Sequence, residues 1–503
     1  MLPPKAEAKS REARPSVTEP ASLVANSSVM FLTRVFALLT LGALSIYAIR
    51  TFSIEAYAHF AIAFALISIF GLLSEMGIST VALRELATHA DRQNSITGIA
   101  LWAEIVTSGL AIALMLPIAF LLGYSHMVLV IIAIGAGVIL FQGVLAAIEA
   151  CFQARRLLVY PALFWTVQAG VTAAVGFAAV GLGWGPRGLA AALTVGYAAA
   201  TPIAFALLLR RLGVRPELAG TWRRIGPFVR TALPIAATGG MAIIYDRVDV
   251  LMLSKLASTR AVAIYNVPLT ILQYSMIVPA IVATAFFPLL TETLRSSPAQ
   301  ARESFGLLAR IFVLISVPLA IVLSAGGETV LTTLFGERYR DSAGPLAVLA
   351  WSIVLGFFNY LLWYSLLAAY REGMKFVIMV VGLVLNVGLN LVLIPAYGPL
   401  GAAVSLICSD LLVVLWQGAL VRRHLFAVSL SGLLTKPLLA GAAALLVTLL
   451  LLPVAGLLAG IAGAIAYVTV LLGIRYISLA EWGPLLTPIR AGLLRLRTSV
   501  GTS

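Results

Sequence analysis

The stretch FVRTALPIAATGGMAIIYDRVDVLML, residues 228–253, is an apolar segment that carries a compact group of charges, Asp246, Arg247 and Asp249. A helix of this length is long enough to cross the roughly 30 Å hydrocarbon core of a bilayer. An ionisable side chain within such a span is costly, so its presence indicates a function or a buried partner. The stretch therefore predicts a membrane-spanning helix whose polar cluster is a candidate functional site.

The rest of the chain has the composition of a protein with many membrane spans. Of its 503 residues, 61% are hydrophobic and 11% are charged, whereas soluble domains carry about 25% charged residues. The predicted fold class is an all-α polytopic membrane protein with about fourteen transmembrane helices, most of them near the length that a span requires. The predicted spans are residues 28–49, 60–83, 99–122, 127–150, 160–182, 188–209, 228–253, 261–286, 307–324, 343–370, 376–394, 401–421, 437–452 and 457–474.

The distribution of positive charge predicts the orientation of the chain. The sequence has 34 Lys and Arg against 20 Asp and Glu, a net charge of +14. If the N-terminus is cytoplasmic, most of the cations fall in cytoplasmic loops, tails and span ends, as the positive-inside rule requires. We therefore predict a multi-pass protein of the cytoplasmic (inner) membrane with both termini in the cytoplasm, and no nucleic-acid partner.

The residue types that build most metal and enzyme sites are sparse and scattered. Cys151 and Cys408 are isolated at or within spans, which argues against a disulfide framework or a cysteine metal site. The four histidines lie on separate loops and span ends, and no Gly-x-x-x-x-Gly-Lys-Ser/Thr phosphate loop occurs. Loops between the predicted spans are too short for a folded catalytic domain. We predict a protein that is not an enzyme and that uses no metal or cofactor.

A faint internal repeat relates the two halves of the chain at a separation of about 200 to 215 residues. GPRGLAA at 185–191 is similar to GPLGAAV at 398–404, and both segments enter a predicted span. Because six helices are an even number, two six-helix lobes keep the same orientation and are related by a pseudo-two-fold axis along the membrane normal. The predicted divisions are a disordered cytoplasmic tail at 1–27, an N-terminal six-helix lobe at 28–215, a C-terminal six-helix lobe at 216–425, two additional helices at 426–474 and a basic amphipathic cytoplasmic tail at 475–503.

Polar residues deep within the predicted spans are the candidate binding residues. Asp246 and Asp249 are three apart on one helix face, and Asn386 and Asn390 are four apart and form a polar stripe. Asp410 lies in mid-span. Each residue can act in transport or can hold helices together, and both interpretations stay open. The candidate substrate-binding residues are Arg34, Glu75, Tyr245, Asp246, Arg247, Asp249, Asn386 and Asn390, and the candidates for ion coupling are Asp410 and Glu75.

An ordered series of short segments resembles a known family. The segments are RTFSIEAYAHF at 50–60, RVDVLML at 247–253, FGERY at 335–339 and IPAYGPLGAA at 394–403. Together they are similar to the polysaccharide transporter (O-antigen-flippase-like) family of the multidrug/oligosaccharidyl-lipid/polysaccharide exporter superfamily. The resemblance implies two lobes around a central cavity lined by the first, second, seventh and eighth spans. It places Arg34 and Arg247, one from each lobe, near the substrate path.

The resemblance also implies a function and a set of partners. The expected function is a flippase that moves a polyprenyl-diphosphate-linked oligosaccharide across the cytoplasmic membrane by alternating access, for surface polysaccharide biosynthesis. The expected partners are the lipid-linked oligosaccharide, membrane lipids, H+ or Na+, and a polysaccharide polymerase or chain-length regulator. A cation-coupled multidrug exporter of the same superfamily is the alternative. A membrane-embedded polysaccharide polymerase or acyltransferase is disfavoured because the sequence has no large loop between spans.

Overall fold

The computed structural model describes residues 20–75, 77–369, 373–426, 430–451, 456–474 and 476. Regular structure in this part of the chain is helical, which confirms the all-α fold class. The predicted tail segments 1–19 and 477–503 lie outside the described residues. The helices are α1 (Pro20–Thr51), α2 (Ile54–Glu75), α3 (Ile78–Thr88), α4 (Gln93–Leu121), α5 (His126–Ala154), α6 (Val159–Gly181), α7 (Gly185–Arg211), α8 (Ile225–Leu256), α9 (Thr259–Ser275), α10 (Ile277–Ser296), α11 (Pro298–Phe335), α12 (Ala343–Ala368), α13 (Gly373–Tyr397), α14 (Pro399–His424), α15 (Leu430–Leu451) and α16 (Gly456–Gly473).

The protein is a multi-pass membrane protein. Twelve helices of the described chain are long and apolar enough to cross a membrane. A thirteenth span results if Thr221–Pro234 and Gly239–Leu256, which are bent by 68° relative to each other, count as one. The segment Thr435–Leu451 is apolar but shorter than the other spans. The sequence predicts fourteen spans, and the difference arises at the bend within α8 and at the short apolar part of α15.

Two predicted spans are interrupted, and the local sequence explains both breaks. The span predicted at 60–83 consists of α2 and α3, which meet at Gly77 with a backbone φ of 69°. This left-handed conformation is accessible to glycine because glycine has no Cβ. The span predicted at 261–286 consists of α9 and α10, and Pro279 in the first turn of α10 has no N–H to continue the hydrogen bonds of α9.

The first helix begins earlier than the sequence suggests. The structure describes α1 from Pro20 onward, so the helix includes residues 20–27, which the sequence assigns to a tail.

Helix α8 occupies a central position, in contact with α2, α9 and α13. Glycines allow the close packing around it. A Cβ at Gly240 would lie 2.6 Å from the Leu72 side chain of α2, and a Cβ at Gly382 of α13 would lie 2.8 Å from Val413 of α14. Small residues at helix contacts are how membrane helices approach closely. Gly382 also lets α13 pack closely beside Tyr245, whose ring lies 3.5 Å from the Cβ position of this glycine.

The last two helices pack together against α11. The backbone of α16 lies close to that of α11, since a Cβ at Gly460 would come 3.0 Å from the Val322 Cα. Many leucines of α15 and α16 point outward, for example Leu446 and Leu458. An apolar outer surface is expected of helices that face lipid.

Candidate functional site

The charged cluster of the sequence lies within α8, which stays helical from Ile225 to Leu256. Tyr245 and Asp249 are four residues apart and therefore share one face of the helix. Both side chains are buried, at 6% and 2% exposure. Asp246 points in a different direction and is exposed. The two acids that the sequence places on a common face thus have different surroundings.

Asp249 belongs to a buried hydrogen-bond network that joins three helices. The Tyr265 hydroxyl of α9 donates to Asp249 Oδ2 at 2.6 Å, and Asn390 Nδ2 of α13 donates to Asp249 Oδ1 at 2.6 Å. Asn390 Nδ2 also donates to Asn386 Oδ1 at 2.9 Å. Both asparagines and Tyr265 are fully buried. Since each oxygen of Asp249 has a donor, the carboxylate holds α8, α9 and α13 together.

A second polar contact on the same face of α8 reaches α14. The Tyr245 hydroxyl donates to Asp410 Oδ1 at 2.8 Å. Asp410 lies near the middle of α14 and is partly exposed. The structure therefore brings Asp410 next to the charged cluster of α8, across 165 residues of sequence.

Tyr245, Asp246, Arg247 and Asp410 border a cavity of about 490 Å³ inside the helix bundle. The cavity extends from Asp410 in mid-bundle toward the end at which α12 finishes and α13 begins. Its volume is within the range of small-molecule sites. The walls come from α8, α9, α12, α13 and α14 and consist of Ala242, Tyr245, Asp246, Arg247, Leu269, Leu272, Gln273, Met276, Ser352, Gly356, Asn359, Tyr360, Trp363, Tyr364, Lys375, Met379, Leu406, Asp410 and Val413.

Several polar groups of the cavity have no partner within the described structure. The Asp246 carboxylate makes no hydrogen bond or salt bridge to any residue that the structure describes, and the same holds for the Gln273 amide and the Tyr360 hydroxyl. Asn359 accepts a hydrogen bond from Gln417 at 2.9 Å through its side-chain oxygen, which leaves its NH₂ group available. These groups converge on one space and can therefore bind a polar ligand.

Both cations in the described cavity wall lie over aromatic rings. The Lys375 ammonium is 3.7 Å from the centroid of the Trp363 ring. The Arg247 guanidinium is 5.3 Å from the centroid of the Phe64 ring, which belongs to α2. Both are cation–π contacts, in which the negative face of the ring stabilises the positive charge. Arg247 thereby links the cavity to the first half of the chain.

Hydrogen bonds join the first and second halves of the chain at the end of the bundle that carries the α1–α2 turn. Arg338 donates to the Phe52 carbonyl at 2.6 Å, and Arg50 donates to the Thr333 carbonyl at 3.2 Å. Further bonds between the halves connect Asn266 to Tyr57 at 2.8 Å and Tyr124 to Ser254 at 3.0 Å. The two halves are therefore in close contact at this end of the molecule.

One candidate residue from the first half, Arg34, is not among the described wall residues of the cavity. Arg34 is exposed on α1, with its guanidinium 5.5 Å from the Trp165 ring of α6. The sequence expects Arg34 and Arg247 to face one shared space, but the described contacts of the two arginines are with different helices. Glu75 ends α2, and its side chain lies outside the described part of the structure. Helices α8 and α9 line the cavity as expected, whereas no side chain of α1 or α2 that the structure describes is among its wall residues.

Sequence reasoning missed the wall that α12 contributes. Tyr360, Trp363 and Tyr364 follow the spacing of one helix face, and this aromatic stripe is the signal that could have found it. Lys375 directly precedes the predicted span 376–394, and the structure places it in the cavity wall. Gln273 and Asn359 are single amides in apolar helices and offer no distinctive pattern.

A family model for polysaccharide biosynthesis proteins matches residues 49–344. The chain belongs to this family. The matched region includes the charged cluster of α8 but ends before α13 and α14. This membership confirms the resemblance to the polysaccharide transporter family that the sequence motifs indicate.

Solved structures of transporters share the fold of this polysaccharide biosynthesis family member. A lipid II flippase MurJ, in an inward closed conformation, superposes with a TM-score of 0.68 at 14% identity, covering 90% of this chain and 99% of that one. A multidrug resistance MATE family transporter of the MOP superfamily, in an inward-facing conformation, gives 0.65 at 12% identity, with coverages of 80% and 98%. The MATE transporter VcmN of Vibrio cholerae gives 0.53 at 14% identity, with coverages of 80% and 98%.

These similarities define the general class of the protein. No curated protein sequence matches the chain. At identities of this level the solved structures establish the fold alone. The solved structures that share this fold are those of a flippase and of multidrug transporters. Within the described residues, no cluster of three His, Cys, Asp or Glu side chains is placed to hold a metal ion.

Proposed function

We propose that the protein is a flippase that moves a lipid-linked oligosaccharide, carried on a polyprenyl diphosphate, across the cytoplasmic membrane for surface polysaccharide biosynthesis. The observation that carries the proposal is the polar cavity inside the helix bundle of a polysaccharide biosynthesis family member. A sugar headgroup cannot cross hydrocarbon without losing the hydrogen bonds that it makes to water. A cavity lined by polar side chains replaces those hydrogen bonds while the lipid tail stays in the bilayer.

The proposed mechanism is alternating access between two six-helix lobes, residues 28–215 and 216–425. The hydrogen bonds of Arg50 and Arg338 between the halves support a state in which the α1–α2 end is closed. We assign this end to the outer face of the membrane and both termini to the cytoplasm, because most cations of the sequence then face inward. Rocking of the lobes would break these contacts and open the outer side.

The candidate residues take two kinds of role in this proposal. Tyr245, Asp246 and Arg247 border the cavity and contact the substrate. Asp249, Asn386 and Asn390 form the buried network that fixes α8 and act on transport through the position of that helix. Asp410 can couple transport to H+ or Na+, since it is a partly exposed acid in mid-span. Arg34 and Glu75 remain candidates in the first half.

Vesicles that contain the purified protein provide a direct test. They are loaded with the lipid-linked oligosaccharide that accumulates in cells lacking this gene, and an impermeant oxidant such as periodate is added outside. We expect the protein to make the inner-leaflet sugar accessible to the oxidant, whereas protein-free vesicles protect it. Equal protection in the two preparations, with protein confirmed in the vesicles, would exclude the flippase function.

A cation-coupled multidrug exporter is the second candidate, and the unpaired carboxylate of Asp246 favours it. An acid in a cavity with aromatic walls can bind organic cations through its charge and through cation–π contacts with the rings. This function predicts that cells lacking the gene accumulate ethidium and that Asp246→Asn fails to restore its efflux. Unchanged ethidium accumulation in the deletion strain would exclude the exporter function.

A further inference from the structure

The next inference rests on the proposed flippase function and concerns which part of the substrate enters the cavity. A carrier-linked oligosaccharide has an uncharged sugar part and an anionic diphosphate. We propose that the cavity of the second half binds the sugar and that the diphosphate stays outside it. Charge, hydrogen-bond chemistry and wall composition each support this assignment.

The charges of the cavity do not favour a dianion. Among the wall residues that the structure describes, the ionisable ones are two acids, Asp246 and Asp410, and two cations, Arg247 and Lys375. Their formal charges cancel. Sites for phosphate groups use an excess of donors and positive charge, often as bidentate arginine contacts. A diphosphate in this cavity would gain no net attraction and would approach the carboxylates at close range, where like charges repel.

The hydrogen-bonding groups match hydroxyls better than phosphate oxygens. An ionised carboxylate accepts hydrogen bonds only, and phosphate oxygens also only accept, so Asp246 cannot bond to a diphosphate. A sugar hydroxyl both donates and accepts. Asp246 can accept from it, while Arg247 and Lys375 donate to it, and the Gln273 amide and Tyr360 hydroxyl can do either. This mixture of donors and acceptors fits a polyhydroxylated ligand.

The aromatic wall adds a second type of contact. Tyr360, Trp363 and Tyr364 of α12 line the cavity on one side. Aromatic faces pack well against the C–H surfaces of sugar rings and leave the hydroxyls free to bond to polar groups. Lys375 lies over the Trp363 ring and so restricts its orientation. The volume of about 490 Å³ suits a headgroup of small-molecule size.

Protection of a cysteine in the cavity can test the assignment. Cys151 and Cys408 are replaced by alanine, and Ala242→Cys introduces a thiol in the cavity wall. The rate at which a hydrophilic maleimide labels this thiol is then measured in the presence of either of two ligands. One is the free glycan, released by mild acid from the accumulated lipid-linked oligosaccharide, and the other is inorganic pyrophosphate. We expect the glycan to slow labelling and pyrophosphate at equal concentration to leave it unchanged.

Matched variants connect this protection to the named groups. Asp246→Asn keeps the shape of the side chain but replaces an acceptor oxygen by a donor. The glycan concentration that halves the labelling rate should therefore rise about tenfold, which corresponds to about 1.4 kcal/mol of binding free energy. Gln273→Ala is the second variant, in case Asp246→Asn does not reach the membrane. Asp91→Asn alters an acid exposed at the surface and should leave protection unchanged.

The possible outcomes separate this inference from the flippase proposal. Protection by pyrophosphate, absence of protection by the glycan, or unaltered protection in both cavity variants would each overturn the sugar assignment. Sugar accessibility in the vesicle assay would still show flipping in those cases. If the vesicle assay shows no flipping, the flippase function fails, whatever the labelling result.

Discussion

The surroundings of Asp249 and Asp246 differ although the two acids lie three residues apart on α8. Asp249 accepts hydrogen bonds from Tyr265 and Asn390 in a buried network. Asp246 borders the cavity and has no hydrogen-bond partner within the described chain. One acid is saturated by the protein and the other is available to a ligand. The cluster is therefore a structural region and a binding region side by side on one helix.

The helix geometry explains how the two regions coexist. Tyr245 and Asp249 lie one above the other on the face that α9, α13 and α14 cover, while Asp246 is rotated by about 100° from Tyr245. The network around Asp249 fixes the rotation of α8 and thereby the direction in which Asp246 points. Substitutions of Asp249 should therefore act mainly on stability, and substitutions of Asp246 mainly on transport.

The largest expected effect is that of Asp249→Ala on stability. The change leaves the Tyr265 hydroxyl and the Asn390 amide buried without their acceptor, which costs about 3 kcal/mol. Thermal unfolding of the purified protein in detergent measures the loss. Asp246→Ala is the control and should change stability by less than about 0.5 kcal/mol. Similar losses for the two variants would contradict the distinction between the regions.

Within the network, Asn390→Ala should cost more than Asn386→Ala. Asn390 donates both to Asp249 and to Asn386, whereas Asn386 takes part through the second of these bonds. We expect losses of about 2 kcal/mol and about 1 kcal/mol, respectively. The same unfolding measurement tests this order. The reverse order would mean that Asn390 is not the central residue of the network.

Replacement of Asp246 by Asn should lower transport without loss of protein. We expect about a tenfold lower rate of sugar flipping in vesicles, because the acceptor that faces the substrate becomes partly a donor. Membrane abundance should match that of the unsubstituted protein, and Asp91→Asn serves as the surface control. A normal rate for Asp246→Asn would remove this residue from the binding region.

Asp410→Asn should alter the response of transport to an ion gradient. Asp410 is the acid that the Tyr245 hydroxyl contacts, and an asparagine cannot bind and release a proton. Transport in vesicles is measured with an imposed H+ gradient and separately with an imposed Na+ gradient. If the gradients stimulate transport by the variant as much as transport by the unsubstituted protein, Asp410 is a helix contact and not a coupling residue.

The smallest effect in this series is expected from Arg34. Because Arg34 contacts Trp165 outside the cavity wall, Arg34→Ala should lower sugar flipping less than Arg247→Ala does. A complete loss with normal membrane abundance would show that Arg34 reaches the substrate path in another state of the protein.

Some features follow from sequence because their signals are local. Apolar segments of span length predict the all-helical membrane fold, since the bilayer requires backbone hydrogen bonds to be made within each segment. The charges at 246–249 indicate the important helix for the same reason, the cost of charge in a span. Short motifs distributed in order along the chain identify the family. None of these inferences needs contacts between distant residues.

The tertiary structure decided the role of each polar residue. Asn390 and Asp249 are separated by 141 residues, and Asp410 and Tyr245 by 165, so no local pattern could pair them. The same holds for Lys375 and the aromatic stripe of α12, which enter the cavity only because α12 and α13 pack beside α8 and α14. Sequence determines where polarity occurs along the chain, whereas packing determines which polar group is saturated and which is left to bind a ligand.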